Sequence, residues 1–370
     1  MKILILGGAG MIGQKLLNLI LQKKEIKSET VSEITLFDII DAPYPDNSSI
    51  PIITKSGDIS DPMVTNDLIK SKPDIVFHLA AIVSGQAEQE FDLGWNINTK
   101  GSWILFEAIR SQGDSYCPRV VFTSSIAVFG SPFPDEIPDD FFTTPLTSYG
   151  AQKAISELLL ADYSRKGMLD GISIRLPTIC VRPGKPNLAA SGFFSGIIRE
   201  PLNGQEAILP VDTDVRHWHA TPRSAAGFLI HAAELDTSKL NNRITLNMPG
   251  LSVTVQEQIE AKKLENSRLK NPSTRGLSTT DTATLSGQRP NDSSSPKSTI
   301  TVRVKADKYP KEIQWDITLM GLGGSGNQLI FDLPQGRYDE KFHVYEQTLK
   351  IEKGKTYKFH IKDLKFGLYQ

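Results

Sequence analysis

A chain of 370 residues exceeds one typical domain and is long enough for two or three. Its hydrophobic share of 39% and charged share of 22% suit a soluble globular protein, and a formal net charge of −1 gives no reason to expect nucleic acid or a membrane surface as partner. Cys117 and Cys180 are too few for a disulfide framework, which predicts a reducing, cytoplasmic setting. No apolar run is long enough to span a bilayer, and Ile3 to Leu6 is too short for a signal-peptide core.

Up to about Leu264, short β-rich runs alternate with helical patterns. That alternation predicts an α/β fold, a Rossmann-like doubly wound parallel sheet covered by helices on both faces. Strands are expected over Lys2–Leu6, Ile34–Asp38, Ile50–Lys55, Ile75–Leu79, Val120–Ser124 and Ile172–Leu176. Most are near-continuous apolar runs, as strands buried on both faces should be. Helices are expected over Met11–Lys23, Met63–Ser71, Trp95–Ser111 and Tyr149–Lys166. From 265 to 299, Ser, Thr, Asn, Pro and Gly dominate, which predicts a disordered linker. The rest, 300–370, reads as five β-runs punctuated by glycines and predicts a small β-sandwich-like module.

The first strand runs into Gly7-Gly8-Ala9-Gly10-Met11-Ile12-Gly13 and then a helical pattern. Gly7, Gly10 and Gly13 form GxxGxxG, a dinucleotide fingerprint whose glycines permit a tight turn, close approach to a pyrophosphate and tight helix–strand packing. The N-terminus of the following helix offers free N–H groups, at Met11 and Ile12 among others, to the phosphates. Asp38 ends the second strand, where a carboxylate accepts both ribose hydroxyls and repels a 2′-phosphate, so NAD is expected over NADP. Asp58 and Ile59 are placed to meet the adenine edge. Leu79, Ala80 and Ala81 close the fourth strand with small residues where a flat cofactor passes.

Tyr149-Gly150-Ala151-Gln152-Lys153 is YxxxK, and a spacing of four puts both side chains on one helix face. The lysine ammonium is expected to favour a tyrosinate, which could take a proton from an alcohol while hydride leaves the same carbon. Ser125, at the end of the fifth strand, is expected to orient the reacting oxygen; Ser124 is its rival. Asn98 is placed to tie its helix to the strands and to hold a water in a proton relay. His217-Trp218-His219 has no carboxylate cluster beside it, so no metal site is expected.

These residues resemble the extended short-chain dehydrogenases, the NAD-dependent epimerase/dehydratase group. Within it, Phe77-His78-Leu79-Ala80-Ala81-Ile82-Val83-Ser84-Gly85, Thr147 to Ala154, Arg175 to Asn187 and Ser195 to Leu202 are similar to the D-erythronate dehydrogenase family. That family oxidises the C2 hydroxyl of a four-carbon sugar acid. The resemblance covers about residues 1–260 and implies Ser125, Tyr149 and Lys153 as the catalytic set, with Thr178 and Ile179 near the nicotinamide. Ser84, Ser125 and Tyr149 are expected at the substrate. An acid also asks for a cationic clamp; the candidates are Arg182, Lys185 and Arg216, with Arg216 ranked first. Relatives that handle nucleotide sugars carry Asn near Thr178, ahead of a Tyr-Gly-Pro, and this chain lacks both. After about Glu260 the resemblance ends, which predicts a domain, 1–264, with a truncated substrate lobe. The helices Trp95–Ser111 and Tyr149–Lys166 are expected to form a homodimer seam. Two other readings compete: a nucleotide-sugar epimerase or dehydratase, and an inactive NAD-binding fusion whose β-module mediates interaction.

Overall fold

The computed structural model describes residues 1–138, 141–184, 188–241 and 243–261 with their side chains, and the backbone of strands between 297 and 363. The chain divides into two units, Met1–Lys270 and Asn271–Gln370. The expected linker, 265–299, lies outside the described residues except for its last three, which open a strand.

In the first unit β1 (Lys2–Leu6), β2 (Glu33–Asp38), β3 (Ile52–Ser56), β4 (Ile75–His78), β5 (Arg119–Ser125), β6 (Asp170–Leu176) and β9 (Thr245–Asn247) form one sheet. Its order is β3-β2-β1-β4-β5-β6-β9, and every neighbouring pair is parallel. The chain winds outward from β1 to β3, then returns to start again at β4. This reversal opens a crevice at the carboxyl ends of β1 and β4, where open α/β sheets bind ligands.

Alternation along β1 splits the core in two. Ile3 and Ile5 pack with Leu16, Leu17 and Ile20 of α1 (Met11–Lys23) and with Leu229 and Ile230 of α8 (Pro222–Glu234). Leu4 and Leu6 pack on the opposite face with Leu105, Phe106 and Ile109 of α5 (Gly101–Arg110). Side chains of period two thus explain why both faces need helices. Helix starts follow local chemistry: Asp61 caps α2 (Pro62–Ile69) through Met63 N, and Thr147 caps α6 (Ser148–Arg165) through Gly150 N. Thr221 does the same for α8, with Pro222 at its first position.

The expected helix Trp95–Ser111 is not uniform. After α3 (Ser84–Gln89) and α4 (Phe91–Gly94), Trp95–Lys100 forms a π-helical turn that only then tightens into α5. The widened turn lets the Asn98 carbonyl accept hydroxyls from both Ser102 and Ser156. β9 has only three residues and carries no periodic signal in the sequence.

A smaller sheet holds β7 (Thr178–Ile179), β8 (Arg216–Ala220) and β10 (Leu251–Thr254), in the order β10-β8-β7. It accompanies α7 (Gly192–Leu202) and a helical stretch at 255–261. Phe194, Ile197 and Val255 form a separate buried cluster there. In the second unit β11 (Lys297–Lys305) pairs antiparallel with β14 (Val344–Glu352). There β12 (Ile313–Leu319) lies antiparallel between β13 (Gln328–Leu333) and β15 (Tyr357–Asp363). Among the described residues, no helix is long and apolar enough to cross a membrane.

Candidate functional site

A cleft of about 1140 Å³ runs from the β1–α1 loop to the small sheet. Gly7, Gly10, Met11, Ile12 and Gly13 line its floor, with Leu79 and Ala81 beyond β4. Gly7 has φ +89°, a left-handed conformation that glycine adopts without strain, and a Cβ there would come within 2.8 Å of the Ala80 amide. A Cβ at Gly13 would collide with the Gly7 carbonyl, so helix and loop can approach only because position 13 is bare. The first-turn amides of α1, Met11 to Gly13, have no carbonyl ahead of them within the helix.

Asp38 stands beside this loop. Its Oδ2 accepts from Ala9 N at 2.9 Å and its Oδ1 from Ile39 N at 2.8 Å. A carboxylate has about four lone-pair positions, so two remain for a ribose diol. Bare loop, open helix terminus and acidic flank together fit a dinucleotide without a 2′-phosphate. Asp58 lies outside the cleft lining, and its carboxylate accepts from the amide and hydroxyl of Ser60, both at 2.8 Å. Ile59 is buried, its carbonyl accepting from Thr65. Asn98 is buried too. Its Oδ1 accepts from Ile82 N at 2.8 Å while its Nδ2 donates to Gln152 Oε1 at 2.7 Å, which locks the loop after β4 to α6.

Ser125, Tyr149 and Lys153 are brought together in the cleft. Ser125 ends β5, and its Oγ accepts from Ala127 N at 3.1 Å. Neighbouring Ser124 also lines the cleft, but its buried hydroxyl has no partner among the described residues. Burial pushes the Tyr149 phenol up, while the Arg182 charge and then the Ser125 hydroxyl draw it back down. Lys153 is buried, donates to the Thr123 carbonyl at 2.8 Å, and has its ammonium 5.7 Å from the Tyr149 ring centroid. Burial pushes this lysine down to about 7, against the opposing pull of Glu157.

The cationic candidates differ sharply. Arg216, which the sequence ranks first, lines the cleft but is engaged: it lies 3.5 Å from Glu257 and donates to the Ser252 carbonyl at 3.0 Å. The Arg182 guanidinium also lines the cleft, and among the described residues it has neither hydrogen-bond nor ion-pair partner. Its backbone is held firmly, by Ser195 Oγ at its N–H and by Arg199 Nη1 at its carbonyl. Lys185 lies outside the described residues. Ser84 opens α3 at the cleft edge, where its Oγ accepts from Ala190 N at 3.0 Å.

Thr178 and Ile179 reach the cleft from β7. Thr178 Oγ1 is 2.7 Å from His217 Nε2, and the His217 ring stacks on Phe194 with centroids 4.6 Å apart. Among the described residues, no group of three or more His, Cys, Asp or Glu side chains could hold a metal. Two roles go beyond what the motifs announce: His217 lines the cleft, where the sequence offers its His-Trp-His run as a metal candidate set aside in favour of a structural role, and buried Gln152 positions Asn98 from a place that YxxxK leaves free.

The comparisons agree with this geometry. Over 265 residues the chain is 48% identical to the D-erythronate dehydrogenase of Cupriavidus necator, covering 70% of this chain and 81% of that protein. It is 41% identical over 259 residues to the D-erythronate dehydrogenase of Haemophilus influenzae, covering 70% and 80%. A crystal structure named as the nucleoside-diphosphate-sugar epimerase of Agrobacterium tumefaciens is 57% identical, with a TM-score of 0.69 over 71% of this chain and 78% of that one. The model of the NAD dependent epimerase/dehydratase family matches residues 3–238, more than half of the sequence. Fingerprint loop, switch-point cleft and family match converge, and the chain belongs to the NAD dependent epimerase/dehydratase family.

Proposed function

We propose that this chain oxidises the C2 hydroxyl of a small sugar acid, D-erythronate, to the 2-oxo acid. It is an NAD-dependent dehydrogenase, and NAD is its cofactor. The observation that carries the choice of substrate class is the Arg182 guanidinium, unpaired among the described residues, in the cleft that holds Ser125 and Tyr149, since a guanidinium matches a carboxylate in two parallel hydrogen bonds. Two curated relatives named D-erythronate dehydrogenase support the same class.

NAD, when bound, supplies the hydride acceptor. The Gly7–Gly13 loop and α1 hold its pyrophosphate, and Asp38 holds the adenine ribose. Asp58, Ile59, Leu79, Ala80 and Ala81 border its adenine and ribose, and Thr178 and Ile179 border its nicotinamide end. Arg182 clamps the substrate carboxylate, with Ser84 and Arg216 at the rim of the same site. Ser125 donates to or accepts from the C2 oxygen and turns it towards Tyr149. The Tyr149 phenolate takes the hydroxyl proton as the C2–H bond breaks, leaving a C2 carbonyl. Lys153 holds the cofactor ribose, its ammonium fixed by the Thr123 carbonyl. Asn98 keeps the loop after β4 and helix α6 in register for this relay.

The test is reduction of NAD by the full chain with D-erythronate, beside a panel of sugar acids and UDP-glucose. Turnover on the acid is the expected result; conversion of the nucleotide sugar alone would replace this reading with the epimerase one. That alternative has one observation in its favour, the name carried by the A. tumefaciens structure. Asp38→Ala should raise the KM for NAD at least about tenfold and narrow the preference over NADP, because it removes a charge-assisted bond to the ribose. An unchanged cofactor ratio would remove Asp38 from the cofactor site.

We further propose a homodimer through α5 and α6. Trp95 and Trp103 on the first helical stretch and Leu158 on α6 are exposed, with Leu158 at 71%. Sedimentation should give a dimer that Leu158→Glu converts to monomer; a wild-type monomer would refute the seam. A cytoplasmic location belongs to the same reading, supported by Cys117 and Cys180 being unpaired.

A further inference from the structure

Beyond the charged clamp and the Ser–Tyr–Lys set, the cleft is also lined by His217, an aromatic polar side chain held from several sides. It stands on β8, in the small sheet. Thr178 Oγ1 binds its Nε2 at 2.7 Å, and Phe194 stacks on the ring at an interplanar angle of 13°. The neighbouring His219 ring closes the cluster edge-on, 5.3 Å away. Position, tilt and one nitrogen of His217 are therefore specified before any ligand arrives.

The other nitrogen is not committed. Among the described residues Nδ1 of His217 has no hydrogen-bond partner, and it is not among the buried atoms sealed from solvent. By contrast both ring nitrogens of His219 are sealed and, among the described residues, unpartnered, so His219 serves packing. Burial, then the neighbouring His219, push His217 down to about 4. The ring is neutral at working pH and adds no charge to compete with Arg182 for the carboxylate. A neutral imidazole held at one nitrogen presents either one donor or one acceptor at the other, and a hydroxyl satisfies both cases.

We propose that His217 is a specificity-determining residue that reads a second hydroxyl of the substrate, one other than the hydroxyl being oxidised. This rests on the sugar-acid reading above and narrows it: the enzyme selects polyhydroxy acids over acids whose only hydroxyl is at C2. An analogue that lacks this hydroxyl forfeits a hydrogen bond to a side chain already fixed in place. His217 needs no part in the proton transfer, so its loss should fall on selection.

The experiment compares kcat/KM for D-erythronate with that for 2-hydroxybutyrate of the same C2 configuration, a four-carbon acid without the C3 and C4 hydroxyls. Wild type should prefer erythronate by about tenfold or more, the worth of one or two hydrogen bonds. His217→Phe keeps the stack on Phe194 and should remove most of that preference by raising the KM for erythronate, with kcat on 2-hydroxybutyrate little changed. His217→Gln, which can still bond Thr178 and offer a polar atom, should restore part of it. If His217→Phe and His217→Gln both keep the wild-type ratio, the inference fails and the dehydrogenase reading stands. A His217→Phe protein that loses both substrates equally, with His217→Gln no better, assigns His217 a structural role and also overturns it. Should wild type oxidise neither acid, the underlying reading falls and takes the inference with it.

Discussion

Tyr149→Phe is expected to lower kcat for the sugar acid by about 10² to 10⁴, the usual contribution of a positioned general base. NAD affinity should stay close to wild type, because the ring and its packing remain. Steady-state rates with a parallel cofactor titration check both halves; undiminished kcat would assign the base to another group. The pH profile gives a second, signed expectation. Burial raises the Tyr149 phenol and Arg182 opposes it, so the tyrosinate, and with it the rate, should grow as pH rises. Arg182→Gln removes the opposing charge, and the rising limb should move to higher pH while the KM for the acid increases. Movement of that limb to lower pH would contradict the electrostatic role of Arg182.

The largest stability effect is expected away from the chemistry, at Arg175. Its Nε and Nη2 donate to Glu157 Oε1 and Oε2 at 2.9 and 2.8 Å, and the side chains are only 8% and 6% exposed. The guanidinium also lies 4.8 Å from the Phe129 ring centroid. Such a pair contributes little net stability as a pair, since both charges lost their water. Losing one partner is different: Arg175→Ala strands the Glu157 carboxylate, at about 3–5 kcal/mol, or a fall in Tm on the order of 10 °C. Lys55→Ala, which removes an ion pair to Asp67 with side chains 42% and 58% exposed, should leave Tm nearly unchanged, because water screens an exposed pair. Thermal unfolding of both variants decides it, and equal shifts would show that burial is not what separates the two pairs.

The arrangement of the sheet was legible because its strands are buried on both faces. Runs such as Ile3–Leu6 and Ile75–Phe77 are apolar throughout, as strands of a parallel sheet under two helical layers should be. Met11–Lys23 was legible to the residue, since the glycine loop marks its start and Lys24 closes it in a left-handed conformation. Thr245–Asn247 was not, because three residues cannot display a period. The π-turn at Trp95–Lys100 comes with hydroxyl bonds to the Asn98 carbonyl from Ser102 and, across the fold, Ser156, a distant partner that local propensity does not register.

The cleft shows the same division. Gly7, Gly13 and Asp38 announce themselves, since the loop needs bare backbone and the ribose needs a carboxylate. The arginines are different: the sequence ranks Arg216 ahead of Arg182, and only the fold shows Glu257 and the Ser252 carbonyl already engaging Arg216. In the same way His217 gained meaning only once β7 brought Thr178 beside it.

The most direct test follows deuterium from C2 of D-erythronate through one turnover with NAD, read by mass spectrometry of the reduced cofactor and of the acid product. Oxidation at C2 predicts a deuterated reduced cofactor and a 2-oxo acid without the label. Reduced cofactor free of deuterium would place the oxidation at another carbon. NAD binding with no reduction by any sugar acid would contradict the dehydrogenase account altogether and leave an inactive cofactor-binding protein in its place.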